Sequence, residues 1–436
     1  MTWPLFWAIF YMEMVEIMID GVNVQCNYCE TKIRLRFQMG FFDIPFDFCC
    51  PGCGVHIHGK REIVDKHSLK INNASQIEDG KDIFDYYIDL SVELPQRKIS
   101  KFESLEQLVK DGFSPFMMTS QLYEHEQYLD LVKDMGNFLA FRKTQWPQIM
   151  PLYDLYFNNK IELTRKHFLK MSPQYTVKNE LDVAMALHQL MVLGFNHIMA
   201  DGTLEKFSGY GDKVLRNMNP LLTDRLIEKL GGRKFFKSVL KRLTKIYGRW
   251  IEDFEKFIPA VMLSVGNATQ KLNTEAYGIA TTSAENMIDF YSDSYELILE
   301  MIVIAVGLNN ISERGSCDKF AAETKLKDWT DFSNKVKAEK LQALIDGEPF
   351  TRAIPVNRHV RNAIAHYTYE FDASTQKIVF QDQYRSKENM VELYLVDLAQ
   401  LCYENVVILT YLSELMYSLR KLDYVKEGLR PNIMRK

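Results

Sequence analysis

The chain has 436 residues, a formal net charge of −4, and 47% hydrophobic and 25% charged residues. At roughly 150 residues per domain this is a folded chain of about two to four domains. Its 13 Pro and 21 Gly are too few for a disordered linker, and its 7 Cys too few for a disulfide scaffold. The slight acidity excludes a polybasic coat, so any contact with nucleic acid needs a local patch.

The first apolar run, Thr2 to Met12, has no basic n-region and leads into Glu13, Glu16 and Asp20, unlike a signal peptide. That run and Leu297 to Leu308 are the most apolar stretches, and both fall short of the roughly 20 residues a membrane span needs. A cytoplasmic, reducing location without a membrane partner is expected.

Five of the cysteines lie between positions 26 and 53. Cys26-Asn27-Tyr28-Cys29 and Cys50-Pro51-Gly52-Cys53 are two C-x-x-C turns, each of which aims two sulfurs at one point. Together Cys26, Cys29, Cys50 and Cys53 supply four thiolates for a structural Zn²⁺ with no open position. Cys49 is an alternative to Cys50, and His56 and His58 are alternative ligands on the following strand. Lys32 to Phe37 alternates basic and apolar residues, as does the segment Val55 to His58, which predicts strands with one buried face. Residues 20–60 are therefore expected to be a β zinc ribbon that depends on its metal. Lys32, Arg34 and Arg36 share a face that either meets phosphate or is the solvated side of a packing or protein-binding module; the second fits three strand charges better.

Residues 61–280 read as a mixed and then mostly helical middle domain. Tyr86 to Leu94 is β-rich, and Ser104 to Gln107 forms a capping box. Helical periodicity covers 120–143, 150–170 and 179–199, with stop signals at Asp201-Gly202 and Gly231-Gly232. His188 and His197 fall in these patterns as ordinary interior or boundary residues. From Arg233 to Ile251 the chain carries Arg233, Lys234, Lys237, Lys241, Arg242, Lys245 and Arg249 and no acid, opposite an apolar stripe from Phe236 to Trp250. This ridge is either a solvated helix face or a guide for an RNA backbone, with Lys237, Lys241, Lys245 and Arg249 as the contacts.

Residues 281–425 read as a helical bundle with a small β-hairpin, making the whole chain mainly α. Thr282 and Glu285 form a capping box before a long helix to about Asn310, and another helix is expected over 324–346. A hairpin is predicted around Asp372-Ala373-Ser374, followed by one or two long helices over 390–422. Cys317 and Cys402 read as buried small hydrophobes.

Between these helices stands Arg361-Asn362-Ala363-Ile364-Ala365-His366. This resembles the signature of the HEPN ribonucleases, an Arg followed after four to six residues by a His, often with a polar residue after the Arg. The resemblance covers about 282–425. It implies a homodimer in which Arg361, Asn362 and His366 of both copies build one composite site, with 2′,3′-cyclic phosphate and 5′-hydroxyl products. It further implies an RNA substrate, a protein trigger or inhibitor, and a place in bacterial abortive infection against phage. In the family, some toxins are silenced by modification of a Tyr two positions after the His; here that position is Thr368, between Tyr367 and Tyr369.

The residue types suit the chemistry independently. Cleavage by the neighbouring 2′-OH needs a group that moves protons near neutral pH, as His does, and a guanidinium to hold the phosphate as charge builds. On ideal helix geometry Arg361 lies about 7.5 Å along the axis and about 140° round from His366. Arg358 and His359, on neighbouring turns, are further phosphate-binding candidates. The competing expectation pairs Arg361 with an acid and makes His366 a helix cap. The chain is then a dimerisation or interaction protein, or a zinc-dependent regulator that binds nucleic acid.

Overall fold

The computed structural model describes residues 19–38, 40–63, 68–78, 84–104, 121–344, 357–384 and 387–435. The Thr2 to Met12 run lies outside the described residues, as does most of the Ser104 capping box. The strands of the front are β1 (Ile19–Cys26), β2 (Lys32–Gln38), β3 (Ile44–Cys49), β4 (His56–Arg61), β5 (Leu69–Asn72), β6 (Ala74–Gln76), β7 (Tyr86–Leu90), β8 (Gln96–Arg97) and β9 (Ser100–Lys101). Helices dominate thereafter: α1 (His125–Thr144), α2 (Trp146–Phe157), α3 (Ile161–Met171), α4 (Glu180–Phe195), α5 (Thr203–Asn217), α6 (Pro220–Leu230), α7 (Gly232–Glu252), α8 (Ile258–Val265), α9 (Ala284–Arg314), α10 (Trp329–Asn334), α11 (Arg358–Ala365) and α12 (Leu395–Lys426). Short strands β10 (Tyr175–Thr176) and β11 (Tyr277–Gly278) interrupt them, and β12 (Tyr369–Asp372), β13 (Lys377–Tyr384) and β14 (Lys387–Tyr394) precede α12; β15 (Met434–Arg435) follows it.

The chain forms two compact units, each assembled from three stretches: residues 1–136, 253–291 and 359–403 in the first, and 137–252, 292–358 and 404–436 in the second. The first unit thus draws on the ribbon, middle and C-terminal segments alike.

In the first unit β1 and β2 are antiparallel, with Val24 opposite Ile33 and Val22 opposite Leu35. Ile33, Leu35 and Phe37 of β2 are fully buried, the period-two face that the alternating sequence predicts. A parallel partner, β7, then covers the other edge of β2. The second sheet, β3-β4-β5, buries Ile44, Phe46 and Phe48. Phe37 meets Phe46 edge to face at 5.7 Å, joining the two sheets. Strand β7 stops at Leu90, short of the expected Leu94, because Ser91 Oγ accepts the amides of Glu93 and Leu94 and turns the chain.

The expected hairpin around 372–374 is present as β12 and β13. A third strand, β14, pairs with β13 along eight residues and occupies the start of what periodicity reads as helix from 390. Helix α9 starts one residue later than expected: Ser283 Oγ, not Thr282, accepts the Asn286 amide. The helix expected over 324–346 is broken into α10 and a 3₁₀ turn over Lys337–Ala343. Ser333 bonds back to the Thr330 carbonyl at the break, a competition with the helix ladder that ends short helices.

The second unit is helical. Asn179 and Asp182 form a reciprocal capping box on α4. Gly231 ends α6 at φ +96°, as the Gly-Gly signal predicts. Gly202, at φ +73°, instead begins α5, because α4 has already ended in a 3₁₀ turn over Asn196–Ile198.

The expectation that no segment is long and apolar enough to cross a membrane is corrected here. Helices α9 and α12 each pass that test by length and mean hydropathy. Of those apolar windows 83% and 78% are buried inside the protein, the behaviour of core helices.

Candidate metal centre and motif site

The two C-x-x-C turns have the same backbone. In the first, the Cys26 amide donates to the Thr31 carbonyl, and the Glu30 amide donates to the Cys26 carbonyl, at 3.0 and 3.1 Å. In the second, the Cys50 amide donates to the Val55 carbonyl and the Gly54 amide to the Cys50 carbonyl, both at 2.8 Å. Glu30 (φ +59°) and Gly54 (φ +78°) take the left-handed conformation at the matching position. One turn lies between β1 and β2, the other between β3 and β4, so two hairpins present their tips to each other.

At those tips the four sulfurs lie within 4.8 Å of one another. Cys26 Sγ is 3.7 Å from Cys53 Sγ, and Cys29 Sγ is 3.5 Å from Cys50 Sγ. Four thiolates around an ion at bonds of about 2.3 Å would be about 3.8 Å apart, so the cluster fits one tetrahedral metal. The cradle is tight: a Cβ on Gly52 would stand 2.1 Å from Thr31 Oγ1 and 3.0 Å from Cys29 Sγ. The Thr31 hydroxyl, 3.1 Å from Cys29 Sγ, lowers that thiol to about 6. Burial pushes Cys50 up to about 12, so its thiolate needs a cation beside it.

Cys50, not Cys49, belongs to the cluster. Cys49 Sγ lies 3.7 Å from His56 Nε2, and His56 Nδ1 lies 3.1 Å from Asp47 Oδ1. His56 and His58 are both outside the four-sulfur group. Two of the three basic residues of β2 are held by partners within the protein. Arg36 makes a bidentate pair with buried Asp89 at 2.6 and 2.8 Å, and Arg34 donates to Asn23 Oδ1.

The motif residues sit on α11 and its cap. Val360, Ala363 and Ile364 face inward, Arg361 and Asn362 are half-buried, and His366 is exposed. The His366 amide still donates to the Asn362 carbonyl at 3.0 Å. Tyr367 follows at φ +56°, and the Tyr367 and Thr368 amides bond back to Ile364 and Ala363, a Schellman cap with His366 at its C-cap. The Gln381 amide donates to the Thr368 carbonyl, and the Thr368 hydroxyl donates to the Gln381 carbonyl, which holds the cap against β13.

Sequence reading missed Asp382. Its Oδ2 lies 2.7 Å from His359 Nδ1 and accepts from Asn362 Nδ2 at 3.3 Å, while Asn362 Oδ1 accepts from Arg361 Nη1 at 3.4 Å. The signal was there: Ile378, Phe380 and Asp382 share one face of β13, so the third position of an apolar face carries an acid, 5% exposed. His359 is therefore oriented by a buried carboxylate, whereas His366 is presented at the surface.

On the basic helix α7, Lys237 donates to Asn159 Oδ1, Arg242 pairs with Glu300, and Arg249 pairs with Asp293. Lys241 and Lys245 are exposed and have no acidic partner among the described residues, and Arg358 is exposed at the start of α11. His188 is bound to Glu414 at 2.7 Å and stacked on Tyr417, an interior role as expected. Cys317 and Cys402 are buried.

Comparison with protein-family models, with curated proteins and with solved structures finds no match to this chain.

Proposed function

We propose that the chain is an endoribonuclease of the HEPN type, cutting RNA through Arg361, Asn362 and His366 of two copies. The observation that carries this reading is the exposed His366 at the helix cap, with Arg361 five residues before it. In this reaction His366 takes the 2′-hydroxyl proton, and the 2′-oxygen attacks the adjacent phosphorus. The bond to the 5′-oxygen breaks, and that oxygen takes a proton from the second copy's His366. Arg361 holds the phosphate oxygens as charge builds on them. The step needs no metal because imidazole and guanidinium supply its proton transfer and charge stabilisation. A site presented at the surface suits assembly from two copies about a twofold axis. Asn362, tied to Asp382 and Arg361, is a positioning residue.

The four-cysteine cluster is proposed to hold one structural Zn²⁺, which closes the ribbon and takes no part in cleavage. The setting implied by the motif is bacterial defence against phage, with the rest of the chain restraining or triggering the nuclease.

A second reading is a non-catalytic dimerisation module. It is favoured by the commitment of both His359 and Asn362 to Asp382, which looks like stabilisation of α11 on its sheet. Expression of the wild type and of His366→Ala, with and without phage challenge, separates the two. Growth arrest with cyclic-phosphate RNA ends in the wild type alone supports the nuclease. Equal behaviour of both chains supports the module.

A further inference from the structure

The second unit contains a cavity of about 420 Å³ whose lining includes no cysteine of the metal cluster and no residue of α11. Its walls come from α2, α3, α4, α7 and α12. Four cations line it, Arg233, Lys234, Lys237 and Arg420, against two acids, Glu180 and Asp423. Both acids are engaged: Glu180 accepts from the Tyr424 hydroxyl at 3.0 Å, and Asp423 accepts from Arg233 Nε at 3.3 Å.

Arg420 is the unusual member. It is 6% exposed, yet its one hydrogen-bond acceptor among the described residues is the Tyr156 phenol, at 3.0 Å. A guanidinium has five N–H donors, so four have no acceptor among the described residues, and the side chain lines the cavity. The Tyr156 hydroxyl bonds to that of Tyr424 at 2.9 Å, and Tyr424 to Glu180, so Arg420 reaches that carboxylate only through two hydroxyls and donates directly to no carboxylate among the described residues. Burying a cation without a directly paired anion is costly.

The opposite wall breaks a local rule in the same sense. The first turn of α7 carries Arg233 and Lys234 and no acid, placing cations at the positive end of the helix dipole. Such placement disfavours the free helix and favours an anion beside it. Lys237, one turn on, is held toward the cavity by Asn159 at 2.5 Å.

We infer that this cavity is a binding site for a small phosphate monoester, with Arg420 as the buried fork and Lys237 and Lys234 as charges at the rim. Its size is that of a small-molecule pocket, and the rings of Tyr156, Tyr424 and Phe236 offer the ester's organic part an apolar wall. The guanidinium suits two phosphate oxygens at once, which chloride or a monodentate anion does not exploit.

The test is calorimetric titration of the full chain with inorganic phosphate, ribose 5-phosphate and adenosine 5′-monophosphate. Lys237→Ala and Arg420→Gln are compared with Lys241→Ala, an exposed lysine of the same helix outside the cavity. The expected result is saturable binding of at least one phosphate monoester, weakened tenfold or more by Lys237→Ala and unchanged by Lys241→Ala. Tighter binding of an ester than of inorganic phosphate places its organic part in the cavity. The inference is overturned if no monoester binds at millimolar concentration, or if Lys237→Ala and Lys241→Ala bind alike. Because Lys237 is half-buried rather than core, its variant keeps the test decisive even where Arg420→Gln fails to fold.

Discussion

Glu30 and Gly54 occupy the same left-handed position in two turns of matching hydrogen bonding, one in each hairpin of the ribbon. A glycine takes this conformation without strain, and a glutamate does so at a cost. A Cβ on Gly54 would meet nothing within 4 Å, so only the backbone responds there. Gly54→Ala is expected to destabilise the metal-loaded protein by about 1 kcal/mol. Glu30→Gly should change stability by less than about 0.5 kcal/mol, because relief of the strain offsets the added freedom of the unfolded chain. Urea midpoints of the two variants check the asymmetry; a loss in Glu30→Gly as large as that in Gly54→Ala would refute it.

The cluster predicts one bound Zn²⁺ per chain. Cys50→Ser should abolish stoichiometric zinc by elemental analysis and lower the melting temperature. Cys49→Ser, whose thiol faces His56, should keep the full complement. Chelation of the wild type should reproduce the Cys50→Ser phenotype. Retention of zinc by Cys50→Ser would mean that Cys49 or a histidine replaces it.

Stability and activity should separate on α11. His366 is exposed, so His366→Ala should leave stability within about 0.5 kcal/mol while removing RNA cleavage. Asp382 is buried and bonded to both His359 and Asn362, so Asp382→Ala should cost about 2–3 kcal/mol. Denaturation curves read alongside RNA end analysis test both; a large stability loss in His366→Ala would make that residue a cap and not a reagent.

Lys98 predicts a pH effect. Its ammonium donates to the carbonyls of Thr274 and Thr375, and burial lowers it to about 8. In the unfolded chain a lysine titrates near ~10.4. Between these values the unfolded state binds more protons, so this residue makes stability rise with pH across that window. Lys98→Met should remove the rise. Unfolding midpoints of both chains at pH 8 and pH 10 measure it, and parallel curves would contradict the assignment.

What the sequence disclosed followed the range of the forces involved. The C-x-x-C turns are local, so Cys26, Cys29, Cys50 and Cys53 were readable from spacing, and the Cys-Pro-Gly-Cys turn favoured Cys50 over Cys49. Helix α7 was readable from its apolar stripe, and α9 from the capping signal before a long apolar run. Strand β14 was not, because Glu388, Met390, Glu392 and Leu393 are good helix formers and only pairing with β13 makes them extended. Asp382 escaped because its partners lie about twenty residues upstream and its burial depends on α11 covering β13. The chemistry of the second-unit cavity escaped for the same reason: the basic run over 233–251 was visible, but its pairing with Arg420 is made by folding.

The parallel pairing of β7 with β2 has a consequence for how this ribbon can be handled. The strand that closes the edge of β2 arrives some fifty residues downstream of it, after both cysteine turns. A fragment cut at Arg61 would keep all four sulfurs yet bare a strand edge flanked by Ile33, Leu35 and Phe37, the kind of edge that recruits other chains. The metal centre is therefore not a cassette that can be grafted by its cysteines alone, and the shortest transplantable piece must carry Tyr86–Leu90 with it.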